Sequence, residues 1–278
     1  ASTYEELKSA ISTANDGDTI KLLADIDLSQ TITVNKTITL NMNGKKLYNT
    51  SDLWDKPTAE ANNWSLISVR GSGNLTITGN GTFAAKENDC YAVDVQESAT
   101  VTIKNGTFIG NIHAVYVFAG TANVEGGTYS VQQKYPDSAK GDEFVLNCYD
   151  ANRANGTARI NVTGGTFKNF NPADNKAEGE GNNFADNSLV VQKNNTVQNN
   201  DYYVGNAANE VIAAASKGEE IFVLNGTTLT NVPAGVIIQN RTGDRITVNG
   251  KDVELTGDAG YTVPASNITI IVPGDTTP

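Results

Sequence analysis

Three residues of this chain have the types and places to do chemistry together. They are Asp94 in Tyr91-Ala-Val-Asp-Val95, Tyr116 in His113-Ala-Val-Tyr-Val117 and Asn147 in Phe144-Val-Leu-Asn-Cys148. Each stands at an outward place of an alternating run, so the three can form one column on an outer face. A phenol ring between a carboxylate and an amide suits a sugar, which stacks by its apolar face and hydrogen-bonds at its rim. Ordinary outward-facing residues give the same pattern. The column is a candidate ligand site, and no catalytic residue is assigned.

Other chemistry is thin. His113 is the only histidine, which excludes a His-based metal site or a triad with a second His, and it reads as structural. Asp16, Asp18, Asp25 and Asp27 crowd the first stretch. Calcium is the one ion such carboxylates could bridge. Their spacing matches neither an EF-hand nor a nonapeptide repeat, so they read as solvated charge and no metal or cofactor is assigned. Cys90 and Cys148 are too few for a disulfide framework, and each lies in an apolar run; two buried thiols are expected.

The elements that must position these residues follow a repeating phrase, an alternating strand and then Gly-Thr-aromatic. It reads Leu75-Thr-Ile-Thr-Gly-Asn-Gly-Thr-Phe83, Val101-Thr-Ile-Lys-Asn-Gly-Thr-Phe108, Ala122-Asn-Val-Glu-Gly-Gly-Thr-Tyr129 and Ile160-Asn-Val-Thr-Gly-Gly-Thr-Phe167. The Thr falls at 82, 107, 128 and 166, giving steps of 25, 21 and 38. Two steps fit one supersecondary unit per turn of a solenoid, and the third fits the same unit with an insertion. Alternation puts Val115, Val117, Ala122, Val124 and Tyr129 inside, above Val93, Val95, Val101, Ile103 and Phe108. Phe83, Phe108, Tyr129 and Phe167 then stack as an internal aromatic column, while Thr76, Thr102 and Asn123 face out. A hairpin-built sandwich, the rival, would pair strands adjacent in sequence and would not return the same phrase at this interval.

The open end of a stack needs a cover. Thr3 and Glu6 read as a capping box, and Leu7, Ala10, Ile11 and Ala14 as the apolar stripe of a helix ending at Gly17. The arrangement returns in Glu210-Val-Ile-Ala-Ala-Ala-Ser-Lys-Gly218 followed by Glu219-Glu-Ile-Phe-Val-Leu224. The expected fold is therefore all-β, a right-handed parallel β-helix with an N-terminal capping helix over residues 1–204. Residues 205–278 are expected to form a short β-rich module that repeats the cap, with strands down to Ile268–Val272. Two stretches interrupt the rhythm: Tyr48–Asn63, with Trp54, and the polar Asn171–Asn187. In solenoids such insertions lie on one flank and often carry recognition.

The chain resembles the right-handed parallel β-helix proteins of the pectin-lyase-like superfamily. The helix followed by Asp16-Gly-Asp-Thr-Ile20, and the Gly-Gly-Thr-Phe turns, resemble the non-enzymatic, adhesin-like members found in surface proteins of gut bacteria. Gly164-Gly-Thr-Phe-Lys-Asn-Phe-Asn-Pro-Ala-Asp-Asn175, with Ala177-Glu-Gly179 and Asn183-Phe184, also resembles virion appendage proteins of gut phages. The resemblance covers residues 1 to about 204, and the remainder only through the repeated cap. Enzymatic members would carry a calcium-binding Asp cluster with an Arg or Lys base, or Asn-Thr-Asp, Asp-Asp, Gly-His-Gly and Arg-Ile-Lys elements. The last four are absent, and Arg159-Ile160-Asn161 and Arg245-Ile246-Thr247 match Arg-Ile-Lys by two residues only.

A net charge of −11 disfavours nucleic acid as a partner, and no apolar run is long enough for a membrane helix. The expectation is a non-catalytic extracellular scaffold or adhesin on a cell or virion surface. Its partner would be a glycan, a host surface or further copies of itself. A structural or decoration protein of a phage particle or other assembly is one alternative, and a polysaccharide lyase or hydrolase with an atypical site is another.

Overall fold

A strand that alternates apolar and polar residues buries one face and must stack on a partner that does the same. In the computed structural model this stacking runs turn upon turn. It describes residues 1–54, 64–133, 144–172, 189–193, 201–205, 208–223, 228–254 and 259–265. Helix α1 (Tyr4–Thr13) precedes the stack. The first turn holds β1 (Thr19–Lys21), β2 (Ile26–Asp27) and β3 (Ile32–Val34), and the second β4 (Thr37–Asn41), β5 (Lys46–Tyr48) and β6 (Ser65–Val69). The third holds β7 (Asn74–Thr78), β8 (Thr82–Ala84) and β9 (Tyr91–Val95), and the fourth β10 (Thr100–Ile103), β11 (Thr107–Gly110) and β12 (Val115–Val117). The fifth holds β13 (Gly120–Val124), β14 (Thr128–Val131) and β15 (Leu146–Cys148). A short helix α2 (Asp150–Ala154) leads into β16 (Ala158–Val162) and β17 (Gly165–Lys168).

Every third strand pairs. Sheet A runs β1-β4-β7-β10-β13-β16, sheet B begins β2-β5-β8-β11-β14-β17, and sheet C runs β15-β12-β9-β6-β3. All these ladders are parallel, with β10 on β13 in the register Val101↔Ala122 and Ile103↔Val124. Strands adjacent in sequence do not pair among β1–β17, so the solenoid stands and the hairpin sandwich falls.

Inside, the register Phe83↔Phe108↔Tyr129↔Phe167 stacks the four rings as expected. Their centroids are 4.8, 5.1 and 5.0 Å apart, within 14° of parallel, and all four residues are fully buried. Tyr129 keeps its hydroxyl satisfied by donating to the Gly126 carbonyl at 2.5 Å. The Gly-Gly of the phrase has a mechanical origin: a Cβ on Gly126 would come 2.3 Å from the Lys104 carbonyl oxygen one turn below, and Gly127 sits at φ +99°.

The cap forms with one difference. Thr3 Oγ1 accepts from Glu6 N, but the Glu6 carboxylate reaches past Thr3 to the amide of Ser2. Leu7 and Ile11 are buried, and Lys36 from the second turn donates to the Ser12 and Ala14 carbonyls at 2.6 Å each, neutralising the negative end of α1.

Beyond β17, sheet B continues through β18 (Leu189–Lys193) and β19 (Asp201–Gly205), both antiparallel. Helix α3 (Ala208–Ala214) and β20 (Glu220–Val223) follow, then β21 (Thr228–Leu229), β22 (Ile237–Asn240), β23 (Ile246–Val248), β24 (Lys251–Val253) and β25 (Tyr261–Thr262). Strand β20 pairs parallel with β22 as β1 does with β4. Three hydrogen bonds at the start of β1 have counterparts at the start of β20. Asn15 N donates to Asp18 Oδ2 at 2.8 Å, and Ser216 N to Glu219 Oε2 at 2.7 Å. Gly17 N donates to Thr37 O, and Gly218 N to Gly235 O. Thr39 N donates to Asp18 O, and Ile237 N to Glu219 O. The expected strand Ile268–Val272 and most of Asn171–Asn187 lie outside the described residues, as do residues 55–63 of the first interruption. No helix among the described residues is long and apolar enough to cross a membrane.

Candidate functional site

The three predicted residues meet in one column of sheet C, in the register Ser68↔Asp94↔Tyr116↔Asn147. Ile67, Val93, Val115 and Leu146 alternate with them and fill the core, which turns the column outward. Their exposures differ. Tyr116 and Asn147 are half-buried, whereas Asp94 is only 1% exposed. The Asp94 carboxylate accepts from Ser68 Oγ at 2.9 Å and Gln96 Nε2 at 2.7 Å. Burial pushes its pKa up to about 6, although the two hydrogen bonds and the charge of Arg70 act the other way.

His113 joins the column against its sequence parity, which would turn it inward with Val115. Val145 O accepts from both Ala114 N and Val115 N, a local slip in the ladder. The imidazole stacks on Tyr116 with centroids 5.3 Å apart, 13° from parallel. Its Nδ1 donates to the Phe144 carbonyl at 2.7 Å, so Nε2 is the unprotonated nitrogen that accepts from Asn147 Nδ2 at 3.1 Å. Burial holds its pKa down to about 4, with the backbone hydrogen bonds opposing.

Residues that the sequence reading did not place here complete the patch. Trp54 and Trp64 stack at 4.7 Å, and Tyr91 packs edge-on against both at 5.9 and 6.4 Å. Tyr91 also lies 5.2 Å from Tyr116 and 4.8 Å from His113. A buried carboxylate fixes the outer end, since Asp89 accepts from Leu53 N, Trp54 N and Asn49 Nδ2. Trp64 remains 41% exposed and Trp54 half-buried. The signal was present: of the only two tryptophans, one lies in the first interruption of the repeat and the other directly follows it.

The remaining candidates are accounted for by the fold. Asp16, Asp18, Asp25 and Asp27 do not converge; each accepts from a backbone amide, those of Thr37, Asn15, Lys46 and Thr50 respectively. No group of three metal-ligating side chains occurs among the described residues. Cys90 and Cys148 are buried free thiols, and burial raises the pKa of Cys90. A groove of about 760 Å³ follows the corner between sheets A and B, past Gly106, Thr107, Gly127 and Thr128 to Tyr203 and Glu210. Its glycine floor is what the tight corner demands. Comparison with protein-family models, curated proteins and solved structures gave no match.

Proposed function

We propose that this chain is a non-catalytic extracellular β-helix, a surface scaffold or adhesin, that binds glycan on the outer face of sheet C. One observation carries the reading: Trp64, 41% exposed, and the half-buried Trp54 and Tyr116 stand on the outer face of sheet C, packed against the buried rings of Tyr91 and His113. Aromatic side chains clustered on an outer face, with polar groups at their edge, are the usual means of holding a pyranose. Tyr116 and Trp64 are the stacking groups in this reading, and Asn147, bonded to His113 Nε2, holds the imidazole against the Tyr116 ring. Asp94, at 1% exposure, positions Ser68 and Gln96 rather than touching a sugar.

The likeness of the sequence to adhesin-like and phage appendage members of the pectin-lyase-like superfamily supports the same assignment. So does the absence from the sequence of the polygalacturonase elements. A glycan array probed with the intact chain and with Tyr116→Ala tests it. Binding that the substitution weakens supports the reading, and an array on which the intact chain retains nothing contradicts it.

A further inference from the structure

Val117 and Cys148 point into the core, so the next residue on each strand, Phe118 and Tyr149, points out on the same face as Tyr116 and Asn147. Both are held in the ladder. Phe118 N donates to Val95 O and Tyr149 N to Val117 O, each at 2.9 Å, and Asn152 Nδ2 donates to Phe118 O at 2.7 Å. Their rings stack at 4.9 Å and 24°, yet remain 39% and 44% exposed. Neither belongs to the hydrophobic core. Beside Tyr149 stand Asp150 and Arg153, 3.6 Å apart, which supply a charged rim. Phe118 lies two residues, about 6.7 Å of strand, beyond Tyr116. The accessible rings therefore lie on a diagonal across sheet C, from Trp64 just before β6 to Tyr116 on β12, Phe118 after β12 and Tyr149 after β15, with the buried Tyr91 packed beneath Trp64 and Tyr116.

We infer that Phe118 and Tyr149 form a second stacking subsite, and that the ligand is an extended neutral pyranose chain, not a single sugar. The inference rests on sheet C being the glycan-binding face. Spaced rings suit an extended chain, each platform taking one apolar sugar face. Neutrality follows from the net charge of −11, which repels a uronate polymer.

The test is titration with cellobiose and cellohexaose, and with the di- and hexasaccharides of β-1,4-linked N-acetylglucosamine. In at least one series the hexamer should bind about tenfold more tightly than the dimer, as one further aromatic stack provides. Phe118→Ala and Tyr149→Ala should remove that gain and leave dimer affinity unchanged, with unaltered melting, whereas Tyr149→Phe should keep it. Equal affinity for dimer and hexamer overturns the second subsite and leaves the face itself standing. A hexamer gain that survives both alanine variants also overturns it. Absence of binding by both series overturns the neutral-chain assignment, and the glycan array then decides the face separately.

Discussion

Asn147 Nδ2 lies 3.1 Å from His113 Nε2, joining the last residue of the predicted column to the only histidine in the chain. With Nδ1 committed to Phe144 O, the ring has no place for a second proton unless this bond breaks. The histidine should titrate near pH 4 instead of 6.5. Since the unfolded chain takes up the proton first, His113 contributes stability that is fully present above pH 6.5. It is lost as pH falls through 4, in all about 3 kcal/mol. One histidine makes the NMR measurement unambiguous: its Cε1–H resonance should have a midpoint near 4, and a midpoint near 6.5 would refute the buried, Asn147-bonded ring.

Asp94 should act in the opposite sense. Its folded-state pKa of about 6 lies above the ordinary 3.8, so the proton stabilises the fold. That contribution is fully present below pH 3.8 and is lost as pH rises through 6. Asp94→Asn carries no such titration. The stability of the variant minus that of the parent chain should therefore rise by about 3 kcal/mol between pH 3 and 7. Any constant effect of the amide on Gln96 cancels in this difference. A flat difference would mean that Asp94 is not buried as a carboxylate.

Phe108 sits between Phe83 and Tyr129 in the aromatic column, and Thr102 stands half-buried on the outer face of the same turn. Phe108→Ala should cost about 3–5 kcal/mol in a denaturant melt, while Thr102→Ala should stay within about 0.5. Comparable costs would reverse the inward and outward assignment.

Gly110 is where the chain folds back on His113: a Cβ there would lie 1.7 Å from the His113 carbonyl oxygen. Gly110→Ala must displace that segment. It should lower the melting temperature by several degrees, about 2–4 °C per kcal/mol for a chain of this size, and it should move the His113 resonance. A variant with unchanged melting and an unchanged resonance would show that the close approach is absent.

Most of the fold was legible because its signals are periodic. The Gly-Thr-aromatic phrase marked the turns, and the alternation from Val93 to Val124 placed the core. The copied cap showed in Gly17-Asp18 and Gly218-Glu219. The site was only partly legible. Alternation alone put Asp94, Tyr116 and Asn147 in one column, because a parallel ladder keeps register. It did not decide the side of His113, where Val145 O takes two amides, and it could not say how deeply Asp94 lies. Trp54 lies in a stretch with no period and Trp64 directly follows it; Asp89, 35 residues from Trp54, and the Tyr91 amide, which donates to Trp64 O, fix where they sit.

The most direct test uses the two tryptophans themselves, since the chain has no others and both stack in the proposed site. Intrinsic fluorescence should shift and saturate on titration with a glycan identified on the array. Tyr116→Ala should weaken that binding about tenfold, as loss of one stacking ring does, while leaving the melt unchanged. Fluorescence that stays constant while the array glycan is shown to bind by calorimetry would place the ligand elsewhere and contradict the assignment of sheet C.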